Sequence, residues 1–179
     1  MITTPRSLRQ TLAALTLAAL ALASAASAAA STLTGRVVGV SDGDTVTVLD
    51  ESKRTHKIRL LGIDSPEKKQ PFGERAKQSL SDLVFDRQVS VEDGKQDRYG
   101  RSLGKIMLDG KDINLEQIRR GMAWHYKQYA RDQSPQDRIA YAEAEAAARS
   151  KRVGLWQDAN PVPPWSFRRE GREQAARAN

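Results

Sequence analysis

Apolar and polar positions change their spacing along this chain, first in the rhythm of strands and later in that of helices. Residues 33–41 are rich in β-branched side chains, with Val37, Val38 and Val40, and predict a strand. Residues 45–49 alternate, with Val46 and Val48 on one face, and 57–63 predict a third strand. The polar stretch 50–54 between them reads as a hairpin loop. Over 71–85 the spacing becomes helical, and Phe72, Ala76, Leu80, Leu83 and Val84 share a face. Residues 88–92 and 103–108 predict two further strands, joined by the charged loop 93–102. Asn114 is then an N-cap residue with Gln117 as its capping-box partner, and Ile113 and Ile118 stand at staple positions. That short helix stops near Gly121. Ser134 and Pro135, at N-cap and N1, open a longer Ala-rich helix that ends by Gly154. The order βββ-α-ββ-α-α defines an α+β, β-rich chain. Five short strands with an inserted helix suit a closed or partly open OB-fold barrel.

Two flanking segments stand apart from this pattern. Arg6 and Arg9 precede an uncharged run from Thr11 to Ala30 that is Leu- and Ala-rich and then small, the pattern of a secretory signal peptide with an Ala-x-Ala cleavage site. Residues 1–30 are therefore expected to be a signal peptide, 31–157 the folded domain, and 158–179 a tail. The expected location is secreted or periplasmic. The tail carries Pro161, Pro163 and Pro164 and then Arg168, Arg169, Arg172 and Arg177. It reads as an irregular, disordered basic tail with Trp156 and Trp165 pinned to the body.

Composition narrows the chemistry. The 179 residues contain no cysteine, which excludes a thiol nucleophile, a Cys-ligated metal and disulfides. Only His56 and His125 are present, so a multi-histidine metal cluster is excluded, and any metal is held by oxygen, as Ca²⁺ and Mg²⁺ are. The formal net charge of +7 falls to +5 once Arg6 and Arg9 are removed and suits a polyanionic partner.

Three polar clusters sit at predicted strand ends. Asp42-Gly43-Asp44-Thr45 alone reads as an Asp-Gly turn. In Arg59-Leu60-Leu61-Gly62-Ile63-Asp64-Ser65-Pro66-Glu67, Arg59 interrupts an apolar run. Alternation places it on the outer face of the barrel if Ile58 and Leu60 fill the inside. Asp64 and Glu67 flank the strand end, where Gly62 and Pro66 re-aim the backbone. Asp97-Arg98-Tyr99-Gly100-Arg101 alone reads as a solvated loop. Together they supply three carboxylates, Asp44, Asp64 and Glu67, and two arginines, Arg59 and Arg101. This set suits phosphodiester hydrolysis. Arginine matches phosphate oxygens with a rigid charged fork, a hard metal held by two Asp acts as a Lewis acid, and a further carboxylate accepts a proton from water.

These three segments, in this order and spacing, resemble the signature segments of the staphylococcal nuclease (thermonuclease) family, with similarity running from about Leu33 to Trp156. The resemblance implies an OB-fold barrel with three helices and Ca²⁺-dependent cleavage of DNA and RNA that leaves 3′-phosphate ends. It implies that Asp44 and Asp64 bind calcium together with the backbone carbonyl of Ser65. Arg59 and Arg101 bind phosphate, and Glu67 is the general base. It places Tyr99, with Arg98 in place of a lysine, and Tyr129 at the nucleotide pocket. Lys127 stands where the best-known member has a tyrosine, and the loop 68–73 is shorter. The expected enzyme is a monomer whose five charged site residues lie on the surface as a cluster awaiting metal and phosphate.

Other residues have plainer readings. His125 is expected to be packed, His56 solvated beside its hairpin, and Trp124 and Trp156 packing aromatics. Lys68, Lys69, Arg119 and Arg120 are expected to form solvated faces that attract nucleic acid diffusely. The alternative function is a catalytically silent OB-fold module that only binds nucleic acid. A metal-free ribonuclease using both histidines, and an exported surface protein with a calcium-steadied loop, are the remaining rivals.

Overall fold

A computed structural model describes residues 32–92, 96–97 and 100–178. The expected signal peptide, Arg98 and Tyr99 lie outside them. The strands are β1 (Leu33–Asp42), β2 (Thr45–Asp50), β3 (Thr55–Leu60), β4 (Ile63–Asp64), β5 (Gln88–Glu92), β6 (Ser102–Leu108), β7 (Lys111–Asp112) and β8 (Trp124–His125). The α-helices are α1 (Gly73–Val84), α2 (Ile113–Arg119), α3 (Pro135–Ser150) and α4 (Pro164–Arg177). Short 3₁₀ segments cover Lys127–Asp132 and Gly154–Gln157.

The main sheet runs β3-β2-β1-β5-β6, and β6 returns to pair with β3 in parallel, Arg59 opposite Leu103. That pairing closes a five-stranded mixed barrel of the OB type and removes its free edges. Val37, Val46, Val48, Ile58, Leu60, Val89, Val91 and Ile106 fill it, as their alternation requires, and α1 adds Leu80 and Val84. The third strand is shorter than the apolar run 57–63 suggests. Gly62, at φ +77°, turns the chain, and Ile63 and Asp64 pair instead with β8.

Two local expectations are corrected. The cap of α2 is Asp112, whose side chain accepts from the Leu115 amide, so Asn114 is not the N-cap residue. Asn114 and Gln117 are wholly buried instead. The Asn114 side chain accepts from the Ile106 amide and donates to the carbonyls of Leu61 and Gly104, tying the two closing strands together. Gln117 donates to the carbonyls of Gly43 and Ala76 and accepts from the Ser79 hydroxyl. A buried amide with its hydrogen bonds made is worth more than an exposed cap, because its partners have no water to fall back on. Ser134 does cap α3, accepting from the Asp137 amide at 3.0 Å.

The C-terminal segment is a further correction. It is not irregular: Pro164 starts α4, which runs to Arg177. The three helices expected beside the barrel are α1, α2 and α3, and the C-terminal segment adds α4 among the described residues. Trp165 packs edge-on to Trp124 at 5.6 Å and stacks on Tyr126 at 5.5 Å. Trp124 and Trp156 are buried and edge-to-face at 4.3 Å, with the Arg149 guanidinium against both rings, as expected of packing aromatics.

Gln117→Leu keeps the volume but leaves the Ser79 hydroxyl and the Gly43 and Ala76 carbonyls without their partner. Urea unfolding should show a loss of about 1–3 kcal/mol with little change in the denaturant slope. A wild-type midpoint would mean that these bonds carry no net stability.

Candidate active site

The site forms where the β1–β2 turn, the end of β3 and the 61–67 segment meet. The backbone approach at Gly43 is too close for a side chain: a Cβ there would lie 2.6 Å from the Ala76 Cβ and 2.7 Å from the Ser65 Cβ. Gly43 is therefore required for contact with α1 and the 61–67 segment, more than for a turn. Beyond it, the Asp42 carboxylate accepts from the Asp44 amide at 3.1 Å. This sets the Asp44 side chain inward, where Oδ2 accepts from the Ser65 amide at 2.6 Å and Oδ1 from the Thr45 hydroxyl at 3.1 Å.

Arg59 occupies the outer face of β3, opposite the core residues Ile58 and Leu60, as the alternation indicates. It is covered rather than exposed. Its Nη1 donates to the carbonyls of Leu60 (3.2 Å) and Ile63 (3.0 Å) and lies 3.2 Å from Asp44 Oδ2. Its Nη2 donates to Asp64 Oδ1 at 2.8 Å. One guanidinium thus holds both aspartates and the turn between β3 and β4.

Asp64 is 1% exposed. Besides Arg59 it receives Arg168 of α4 in a two-pronged contact, Nη1 to Oδ1 at 3.2 Å and Nη2 to Oδ2 at 2.8 Å. The same Nη1 donates to Glu67 Oε1 at 2.6 Å. Three carboxylates and two guanidinium groups therefore form one contiguous cluster. The expected surface group of unbalanced charges is corrected on this point. Asp44 and Asp64 are buried, only Glu67 is substantially open to solvent, and arginines already balance most of the negative charge.

Arg101 is held by its own loop. Its amide and Nε donate to Asp97 at 3.0 and 2.7 Å. It stands two residues before Leu103, the register partner of Arg59. Arg59 gathers Asp44 and Asp64, and Arg168 joins Glu67 to Asp64. Ser65 is buried, with its hydroxyl against Gly43 and unpartnered. Tyr129 is half exposed and lies 5.3 Å from the Tyr126 ring.

Neither histidine takes part. His125 is buried, with Nε2 3.0 Å from Gln133 Oε1, and His56 lies 2.8 Å from Asp50, which drops to a pKa of about 2, first through that hydrogen bond. The two belong to different parts of the fold, which removes the support for an acid/base pair. Lys68, Lys69, Arg119 and Arg120 are exposed, as expected.

Burial raises the pKa of Asp44 to about 7. Asp42 and Asp64 add to the rise, while Arg59 and the Ser65 amide oppose it. Among the described residues no three of His, Asp and Glu gather as a preformed metal cluster. Asp44 and Asp64 nevertheless fit a hard cation. The donors are all oxygen, and the groups resting on them are cationic guanidinium ions. Water would complete the coordination.

Sequence reasoning missed Arg168 because it took the arginines of the tail as one diffuse group. Pro164 at the first helical position was the available signal, with Trp165 and Arg168 one turn apart on the same face.

An OB barrel with buried aspartates and arginines at one end defines a class, and comparison with known proteins places the chain within it. A family model described as staphylococcal nuclease homologue matches residues 57–158, more than half of the chain. An uncharacterized endonuclease of Haemophilus influenzae is 44% identical over 137 residues, covering 76% of this chain and 74% of that protein. A micrococcal nuclease of Shigella flexneri is 42% identical over 144 residues, covering 75% and 80%. A staphylococcal-like nuclease of Arabidopsis thaliana is 41% identical over 116 residues, 65% of this chain and 34% of that protein. The chain belongs to the staphylococcal nuclease family. The matched segment includes Arg59, Asp64, Ser65, Glu67 and Arg101, while Asp44 and α4 lie outside it.

The raised pKa of Asp44 has a testable sign. Its folded value of about 7 lies above the ordinary 3.8, so its contribution to stability is complete below about pH 4 and is lost as the pH rises through 7. Asp44→Asn removes this dependence. In chelator, urea midpoints at pH 5 and pH 8 should favour the variant more at pH 8, by a few kcal/mol at most. An equal difference at both values would mean that Asp44 titrates normally.

Proposed function

We propose that the protein is an exported, calcium-dependent nuclease that hydrolyses phosphodiester bonds of DNA and RNA with little sequence specificity. The observation that carries this reading is the convergence of Asp44, Asp64 and Glu67 with Arg59 at one end of the barrel, in a chain of the staphylococcal nuclease family. Relatives named as nucleases support hydrolysis of nucleic acid. Export rests on the signal-peptide pattern of residues 1–30.

In this reading Asp44, Asp64 and the Ser65 carbonyl hold the calcium ion. When bound, it supplies a Lewis acid for a phosphate oxygen. Glu67 is open enough to meet water and accepts its proton as the oxygen attacks phosphorus. The bond from phosphorus to the 5′ oxygen breaks, leaving a 3′-phosphate, and the departing oxygen takes up a proton. Arg59 and Arg101 face the charge that builds on the phosphoryl oxygens. Arg98, Tyr99 and Tyr129 contact the nucleotide, and the +5 net charge left once Arg6 and Arg9 are removed attracts the polyanion without reading its sequence. The protein acts as a monomer.

Arg59 also supports the turn between β3 and β4, so Arg101→Lys isolates the phosphate role better. On one oligonucleotide with calcium, its kcat should fall by about 10²–10³-fold with the fold intact. Lys69→Ala should leave kcat nearly unchanged and flatten the salt dependence of binding by about one phosphate contact. Glu67→Gln should be inactive yet folded. Cleavage of plasmid and RNA should stop in excess chelator. Full activity there would refute the cation requirement, and no cleavage of any polynucleotide under any divalent ion would favour the silent binding module.

A further inference from the structure

Resting on the calcium reading above, we propose that α4 is a built-in plug. Its Arg168 occupies the carboxylates that a divalent cation needs, so cation loading and α4 docking exclude each other.

The geometry leaves little room for both. Asp64 is almost fully buried, and its two oxygens accept three guanidinium contacts, two of them from Arg168. Oδ2 is bound by Arg168 alone among its described hydrogen bonds. The same side chain ties Glu67 Oε1 at 2.6 Å, so the metal carboxylate and the water-activating carboxylate are held by one group. A guanidinium meets two oxygens of a carboxylate in one plane. A hard cation approaching Asp64 must take at least one of those oxygens. Among the described contacts, removing Arg168 leaves Arg59 as the guanidinium of this cluster, and the three carboxylates then pull more strongly on a divalent ion.

The way α4 is attached suits reversible release. Pro161, Pro163 and Pro164 stiffen the approach, and the Gln70 side chain donates to the Val162 carbonyl. Trp165 rests on Tyr126 and Trp124. From Arg169 to Ala178 every residue is exposed, so the burial of α4 is confined to its first turn and a half. Ordering so small a contact region leaves docking sensitive to a competitor for Asp64. The freed segment carries Arg168, Arg169, Arg172 and Arg177 against Glu170 and Glu173, and a polyanionic strand would help draw it off.

The test is calorimetric titration of the chelator-stripped full chain with calcium chloride, comparing wild type, Arg168→Gln and Trp165→Ala. Arg168→Gln should bind calcium about tenfold tighter or more, as expected when most of the population is closed. Trp165→Ala touches none of the carboxylates but weakens docking, and should tighten binding in the same direction. Calcium should also change the tryptophan emission of wild type as Trp165 leaves Tyr126. Arg168→Gln should show the released emission before calcium is added, and a Trp165→Phe control should lose the change. Equal or weaker calcium binding by both Arg168→Gln and Trp165→Ala, with normal thermal unfolding, would overturn the plug. A fall in kcat of Arg168→Gln at saturating calcium, without tighter binding, would make Arg168 a third phosphate-binding arginine instead. If no variant takes up calcium while all remain folded, the calcium reading falls, and the plug falls with it.

Discussion

Two aspartates are buried at the rim of this barrel, and that burial is the constraint on which the site is built. A carboxylate removed from solvent loses hydration worth several kcal/mol unless positive charge or hydrogen-bond donors replace it. Asp64 is supplied by Arg59 and Arg168, and Asp44 by Arg59, the Ser65 amide and the Thr45 hydroxyl. Each aspartate therefore specifies its surroundings. Arg59 must come from the outer face of β3, the chain must turn at Gly62, and β4 must lie against β8. The shift in Asp44 shows that the compensation is incomplete, because burial there outweighs the attraction of Arg59.

The scaffold that holds the rim is polar where it meets the barrel. Asn114 bridges Leu61, Gly104 and Ile106, and Gln117 bridges Gly43, Ala76 and Ser79. Through Gln117, α2 reaches the loop that presents Asp44. Through Asn114 it reaches the segment that leads to Asp64. A helix with no residue in the cluster of charges thus determines where two of its members stand. Fully satisfied buried amides are selective in geometry, since a misplaced segment leaves donors or acceptors unmet. The barrel core of Val, Ile and Leu supplies burial, and these two amides supply alignment.

Much of this was legible in the sequence because its causes are local. Alternation in β1, β2 and β5, the helical face of α1 and the Ser134-Pro135 start of α3 follow from spacing and from the conformational limits of single residues. The three charged segments were legible for the same reason, and so was the placement of Arg59 opposite Ile58 and Leu60. Where the reading failed, two plausible roles competed for one residue type. Asn114 and Gln117 fit an exposed capping box as well as a buried bridge, and only their neighbours in space choose between them.

The sequence by itself determined the long barrel strands, the first three helices and the charged segments at the strand ends, because periodicity, turn residues and side-chain type act within a few positions. Tertiary structure alone decided the parallel closure of β3 on β6 and the burial that raises the pKa of Asp44. It also decided the meeting of Arg168 with Asp64, 104 residues away. A basic tail has the same composition whether it floats in solvent or docks. The difference lies in whether Trp165 finds Tyr126 and whether a buried carboxylate still has an oxygen to offer, and both exist only once the barrel has closed.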